Sequence, residues 1–217
     1  MNIVKKKKRK RSFRDINHAT AADAIGDLYP GCEIYGLSKG QFSLVEIIGH
    51  CLNQTGPAHV IISTWTAAGA DMSHAKGLLN SEKILSCRWL VDTSFISRQK
   101  ALHSELGELF GPENIIETKN HAKFVTIRNE KWNITLRTSM NLNLNKRLEN
   151  YEISDDEDLA DYLEKMYESM RSSGEFSFMK NKFQAPSREK ALWHHQGKPD
   201  ERELVFHEVN QRGVSYE

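Results

Sequence analysis

Six consecutive residues, His59-Val-Ile-Ile-Ser-Thr64, make a nearly continuous apolar run of strand length, rich in β-branched side chains. A strand of that kind has no polar side to offer water, so it belongs inside a sheet covered on both faces. The flanking sequence supplies the cover. Residues 42–52 repeat apolar side chains at Phe42, Val45, Ile48 and Leu52, near helical spacing, and 53–57 break the pattern. Residues 33–36 ahead of them read as a short strand, so the segment forms a strand-helix-strand unit. The alternation continues with a helix over 71–80, a strand over 87–92, a helix over 99–110 stopped by Gly111-Pro112, and a strand over 114–117. Strands alternating with helices of about ten residues predict an α/β fold with a mixed, mostly parallel sheet and helices on both faces.

Beyond residue 120 the rhythm changes. Residues 123–128 and 132–138 are two β-rich runs around Asn129-Glu130-Lys131, a pattern that predicts an antiparallel hairpin. A short strand over 151–153 follows. Residues 155–172 then place Leu159, Tyr162, Leu163, Met166 and Met170 on one helical face, with Asp155, Asp156, Glu157 and Asp158 massed where the helix dipole favours negative charge. The remainder is polar and aperiodic. The expected organisation is a basic tail over 1–28, a folded domain over 29–172 opening at Tyr29-Pro30-Gly31, and an extended C-terminal arm over 173–217.

Charge is distributed unevenly. The formal net charge is only +1, yet Lys5, Lys6, Lys7, Lys8, Arg9, Lys10, Arg11 and Arg14 stand in the first fourteen residues with no acid among them, leaving 22 basic against 29 acidic residues downstream. A concentrated cation ahead of an acidic body is suited to an anionic partner, of which nucleic acid is the commonest; a localisation signal is the alternative. No stretch has the roughly 18 consecutive apolar residues of a membrane-spanning helix, and no apolar segment follows the basic start as in a secretory signal. Cys32, Cys51 and Cys87 are odd in number and widely spaced, so neither a disulfide framework nor a metal cluster is expected, and a cytoplasmic setting is. The histidines outside the segment discussed next lack metal-ligand spacing.

Chemistry concentrates in His121-Ala122-Lys123, followed by Thr138-Ser139-Met140-Asn141 and Asn150-Tyr151-Glu152. Residues two apart on a strand share a face, so an imidazole and an ammonium project together. A hydroxyl and an amide from the next strand complete a set of donors suited to phosphate. The lysine and amide would stabilise charge on the non-bridging oxygens, a neutral His121 would attack phosphorus, and Glu152 would orient the imidazole.

The order His-x-Lys, hairpin, Ser-x-Asn, Asn-x-Glu after a β-α-β-α-β lead-in resembles the phospholipase D superfamily, whose motif is H-x-K-x4-D-x6-G-S-x-x-N in most members. It is most similar to small bacterial members of the nuclease type that carry a single motif. The motif here is degenerate: Arg128 stands where the family has Asp, and Thr138 where it has Gly. The resemblance implies a covalent phosphohistidine on His121, with no metal or other cofactor and resolution by water. One motif holds one histidine, so it further implies a homodimer in which the second copy of His121 protonates the leaving oxygen. Lys123 and Asn141 would clamp the phosphate, Ser139 would assist, and Glu152 would hold the imidazole. A rim of Lys119, Arg128, Lys131, Arg137, Lys146 and Arg147 favours a nucleic-acid backbone over a lipid headgroup, with little base specificity. The expected function is a metal-independent nuclease; the alternative is a catalytically inactive DNA- or RNA-binding protein on the same fold.

Overall fold

Eight strands, β1 (Lys10–Arg14), β2 (Cys32–Ser38), β3 (Ala58–Thr64), β4 (Ile84–Asp92), β5 (Ile115–Thr118), β6 (Phe124–Arg128), β7 (Asn133–Thr138) and β8 (Glu149–Asp155), join in one sheet in the order β1-β2-β8-β7-β6-β3-β4-β5. The helices are α1 (Ala21–Ile25), α2 (Leu44–Thr55), α3 (Thr93–Arg98), α4 (Lys100–Phe110) and α5 (Glu157–Ser173). This is a computed structural model, and it describes residues 10–65, 73, 77–78, 82–98, 100–142 and 146–173. All of them belong to the first of the chain's two units, Met1–Ser177 and Phe178–Glu217. Lys5 to Arg9, most of the helix expected over 71–80 and nearly all of the C-terminal arm lie outside the described residues.

The sheet is mixed, as the sequence predicts. β1, β2, β7, β3, β4 and β5 run one way; β6 and β8 run the other. The ends of β2, β3, β4, β5 and β7 therefore share one edge of the sheet with the starts of β6 and β8.

One face carries the larger core. Val60, Ile62, Trp89, Val125, Ile127, Leu136, Tyr151 and Ile153 pack there with α1, α2, α3 and α4. α2 begins where Ser43 and Glu46 form a capping box, the Ser43 hydroxyl accepting from Glu46 N at 3.2 Å and Glu46 Oε2 from Ser43 N at 2.7 Å. Gly56, at φ +78°, ends it by donating to the Leu52 carbonyl. At Gly36 the packing leaves no room for a side chain, since a Cβ would stand 2.3 Å from the ring of its register partner Tyr151, which is fully buried. Gly36→Ala is expected to cost about 1–3 kcal/mol in urea unfolding at unchanged m-value.

α5 covers part of the opposite face, with Leu163 and Tyr167 on Ile61, Leu90, Ile116 and Phe124. Two arginines rising from the sheet also hold it. Arg88 bonds Glu164 at 2.5 Å and Glu168 at 2.6 Å; Arg128 bonds Glu164 at 2.5 Å and Asp161 at 2.8 Å. Burial pushes the Glu164 carboxyl up, but the hydrogen bond and charge of Arg88, with those of Arg128, outweigh it and hold it below the ordinary carboxylate range. A lowered carboxyl stabilises the fold above its unfolded-state value, and that contribution is lost as pH falls through the lowered one. Glu164→Gln is expected to cost about 1 kcal/mol at neutral pH and to flatten the acid limb of a plot of urea midpoint against pH.

Two elements precede the expected start of the domain at Tyr29. β1 pairs in parallel with β2, and α1, capped by Thr20 on Asp23 N, buries Ala21, Ala24 and Ile25. The basic tail over 1–28 is thus folded from Lys10 onward. Arg11 is ion-paired with Glu33, and Arg14 donates to the Ile25 carbonyl at 2.8 Å.

Candidate active site

Side chains converge at the sheet edge where β3, β4, β5 and β7 end and β6 and β8 begin. The segment entering β6 is fixed from below by Asn120, which is only 6% exposed. Its amide donates to Ser63 Oγ at 2.9 Å, Leu90 O at 3.0 Å and Thr64 O at 3.3 Å, and its Oδ1 accepts from Ala122 N at 2.9 Å. Its backbone N–H donates to Asp92 Oδ2 at 2.9 Å, and Ser63 Oγ donates to the Ala122 carbonyl at 2.9 Å. Every polar atom of one buried side chain is therefore engaged across β3, β4 and the segment carrying His121. His121 and Lys123 are held on that platform rather than on a free loop.

The His121 ring stacks tilted on Trp65, at 5.6 Å between centroids, and exposes its other side. Lys123 Nζ donates to the His121 carbonyl at 2.9 Å and stands 3.4 Å from His121 Nδ1. Burial lowers the Lys123 pKa, and the charge of Glu149 partly offsets this. The ammonium that would hold an anion is consequently lost at lower pH than an ordinary lysine's.

From β7 and β8 come Ser139, Glu149 and Asn150. The Ser139 hydroxyl donates to Glu149 Oε2 and accepts from Asn150 N at 3.0 Å. Thr138 uses its hydroxyl to bind the Asn150 carbonyl at 2.6 Å and to accept from Met140 N at 3.0 Å. It ties the end of β7 to the start of β8. Beside these groups opens a cleft of about 380 Å³ lined by Lys123, Arg137, Ser139 and Asn150 on its polar side and by Phe124, Leu159 and Leu163 on its apolar side. Two cations, a hydroxyl and an amide around one opening can neutralise and orient a phosphodiester; His121 is not among the lining residues but stands next to Lys123, which is.

Not every expected residue arrives. Glu152 is bonded to Arg137 at 2.5 Å on the face that α5 partly covers, not to His121. The carboxylate electrostatically coupled to Lys123 is Glu149 instead. Arg128 lies at the far end of β6, five residues or roughly 17 Å of strand from the site, and its guanidinium is engaged by α5 and Asn133. Asn141 has its Oδ1 buried with no hydrogen-bond partner among the described residues and is not part of the cleft lining. Asn120, Glu149, Asn150 and Trp65 are the additions. Asn120 and Glu149 adjoin the motif residues His121 and Asn150 in sequence, which was the available signal; nothing local marked Trp65.

Among the described residues no cluster of three His, Cys, Asp or Glu side chains is placed to hold a metal ion, and no helix is long and apolar enough to cross a membrane.

No protein-family profile matches the chain, and no curated protein sequence does. Among solved structures, NucT from Helicobacter pylori is similar at a TM-score of 0.48 and 15% identity, over 65% of this chain and 97% of that one. The polyphosphate kinase from Porphyromonas gingivalis is similar at 0.41 and 12%, over 58% of this chain and 24% of the kinase.

Proposed function

We propose that this chain is a phosphodiesterase that cuts nucleic acid through a phosphohistidine on His121, acting as a homodimer. The observation that carries the reading is the His121-Lys123 pair, 3.4 Å apart on a buried hydrogen-bonded platform, with Lys123 lining a cationic cleft and the exposed His121 beside it. A phosphate entering the cleft draws the Lys123 ammonium onto a non-bridging oxygen and away from Nδ1. An unprotonated imidazole nitrogen then attacks phosphorus, forming the P–N bond as the P–O bond to the leaving strand breaks. The leaving oxygen takes a proton from an acid supplied by the second copy of the chain. Water afterwards attacks the phosphohistidine, returning the imidazole and releasing the phosphate end. Arg137 and Asn150 steady the non-bridging oxygens, and Ser139 is held ready between Glu149 and the Asn150 N–H.

The test is cleavage of labelled single- and double-stranded DNA and RNA in buffer containing EDTA. Cutting by the wild type that His121→Ala lacks is the expected result. Retarded mobility without cutting by either protein favours the binding-only alternative, for which the burial of Asn141 Oδ1 and the absence of Asn141 from the cleft lining are the supporting observations.

A further inference from the structure

The face partly covered by α5 also presents an open half. Register places Phe13 of β1, Tyr35 of β2, Glu152 of β8, Arg137 of β7 and Phe124 of β6 in one row across five adjacent strands. The row spans about 19 Å at the usual strand spacing. Phe13 is 74% exposed and Tyr35 36%, and their rings meet edge to face at 6.4 Å. Isolated large aromatics on a surface are ordinary; two in contact, in line with a cationic cleft, are not.

The charges on this half are layered. Arg11 pairs with Glu33 and Arg137 with Glu152, yet the arginine side chains are 58% and 50% exposed while the carboxylates are 12% and 23% exposed. The acids lie underneath and hold the guanidinium groups in place, so the outward charge is positive. The cationic run at 5–10 leads directly into β1, the strand that carries Phe13. At the other end of the row, Arg137 and Phe124 line the cleft beside Lys123.

We propose that this open half of the sheet is a track for single-stranded nucleic acid, which lays unpaired bases on Phe13 and Tyr35 and delivers its phosphate past Arg137 to His121 and Lys123. The proposal rests on the function given above and adds the form of the substrate. Unpaired bases offer flat faces to aromatic rings whatever their sequence, whereas a duplex keeps those faces inside its own stack. Arginines fixed by largely buried carboxylates on the same face as the rings match the phosphates between successive bases.

The test uses the full chain carrying His121→Ala, so that nothing is cut during the measurement, and follows the anisotropy of a labelled single strand of about 12 nucleotides and of the corresponding duplex. The single strand is expected to bind more tightly. Phe13→Ala and Tyr35→Ala should each weaken it about five-fold or more and leave the duplex within about two-fold. Tyr162→Ala, which removes a 64% exposed ring from α5, should change neither. Phe13 is exposed enough that its loss leaves the core intact, and an unchanged melting curve checks this. If both variants bind the single strand as the parent does, while the wild type still cuts, the track is wrong and the nuclease reading stands. If Phe13→Ala instead turns a dimer into a monomer in sedimentation, the face belongs to a second copy and the track is overturned. A wild type that neither binds nor cuts any nucleic acid overturns both readings.

Discussion

Replacing His121 with alanine is expected to abolish phosphodiester cleavage, a loss of about 10⁴-fold or more, without destabilising the protein. The size follows from its proposed role, because a nucleophile has no substitute once its lone pair is gone. The lack of a folding cost follows from its place. His121 is exposed, and its ring touches Trp65 and the end of Lys123, so no cavity is left behind. Turnover at saturating substrate and thermal melting should separate completely in this variant, with affinity for uncut nucleic acid retained through Lys123, Arg137 and the basic run. Residual cleavage within ten-fold of wild type would mean that another residue forms the covalent bond, and the assignment would fall.

Asn120→Ala is expected to damage both folding and turnover. Its amide is the only side chain among those described that bridges Ser63 on β3, the Leu90 carbonyl on β4 and the Ala122 N–H ahead of β6. Truncation removes four hydrogen bonds from a site of 6% exposure and leaves buried carbonyls without that donor, for a loss of about 2–4 kcal/mol in urea unfolding. Catalysis should fall further than stability implies, since displacing His121 by an ångström spoils its approach to phosphorus. Asn120 is a positioning residue, so kcat should fall while KM changes little. Ser63→Ala, which deletes one member of the same network, should show both effects in milder form. A stable Asn120→Ala protein with full activity would show that the His121 segment needs no platform.

How much of this was legible in the chain follows from the range of each signal. β3, β4, β6 and β7 were written locally, in β-branched runs and a hairpin whose Asn129 indeed turns the chain by accepting from Lys131 N and Trp132 N. α5 was written in its periodicity. β1 was not, because Arg11 and Arg14 extend the preceding run of charge and its strand character depends on β2, eighteen or more residues later. Strand period explains the site residues that did not arrive. Tyr151 points into the larger core, so Glu152 must point to the other face, where register sets it against Arg137. Arg128 is an even number of residues from Phe124 and so shares the face of α5, whose acids take it. The motif gave the residue types; only the pairing of strands decides which of them meet.

β1 has one further consequence as the outermost strand of the sheet among the described residues. Its outer side carries backbone donors and acceptors that pair with no strand among the described residues, the kind of border onto which a foreign strand can crystallise in register. A second copy adding there would have to bring Arg11 and Arg14 against their own likenesses. Electrostatic repulsion thus guards the border against templated growth. The guard reaches about 8 Å at physiological ionic strength and about 3 Å in molar salt, so the charge proposed to meet a polyanion also opposes pairing of this border with its own likeness, and leaves other faces free for a dimer.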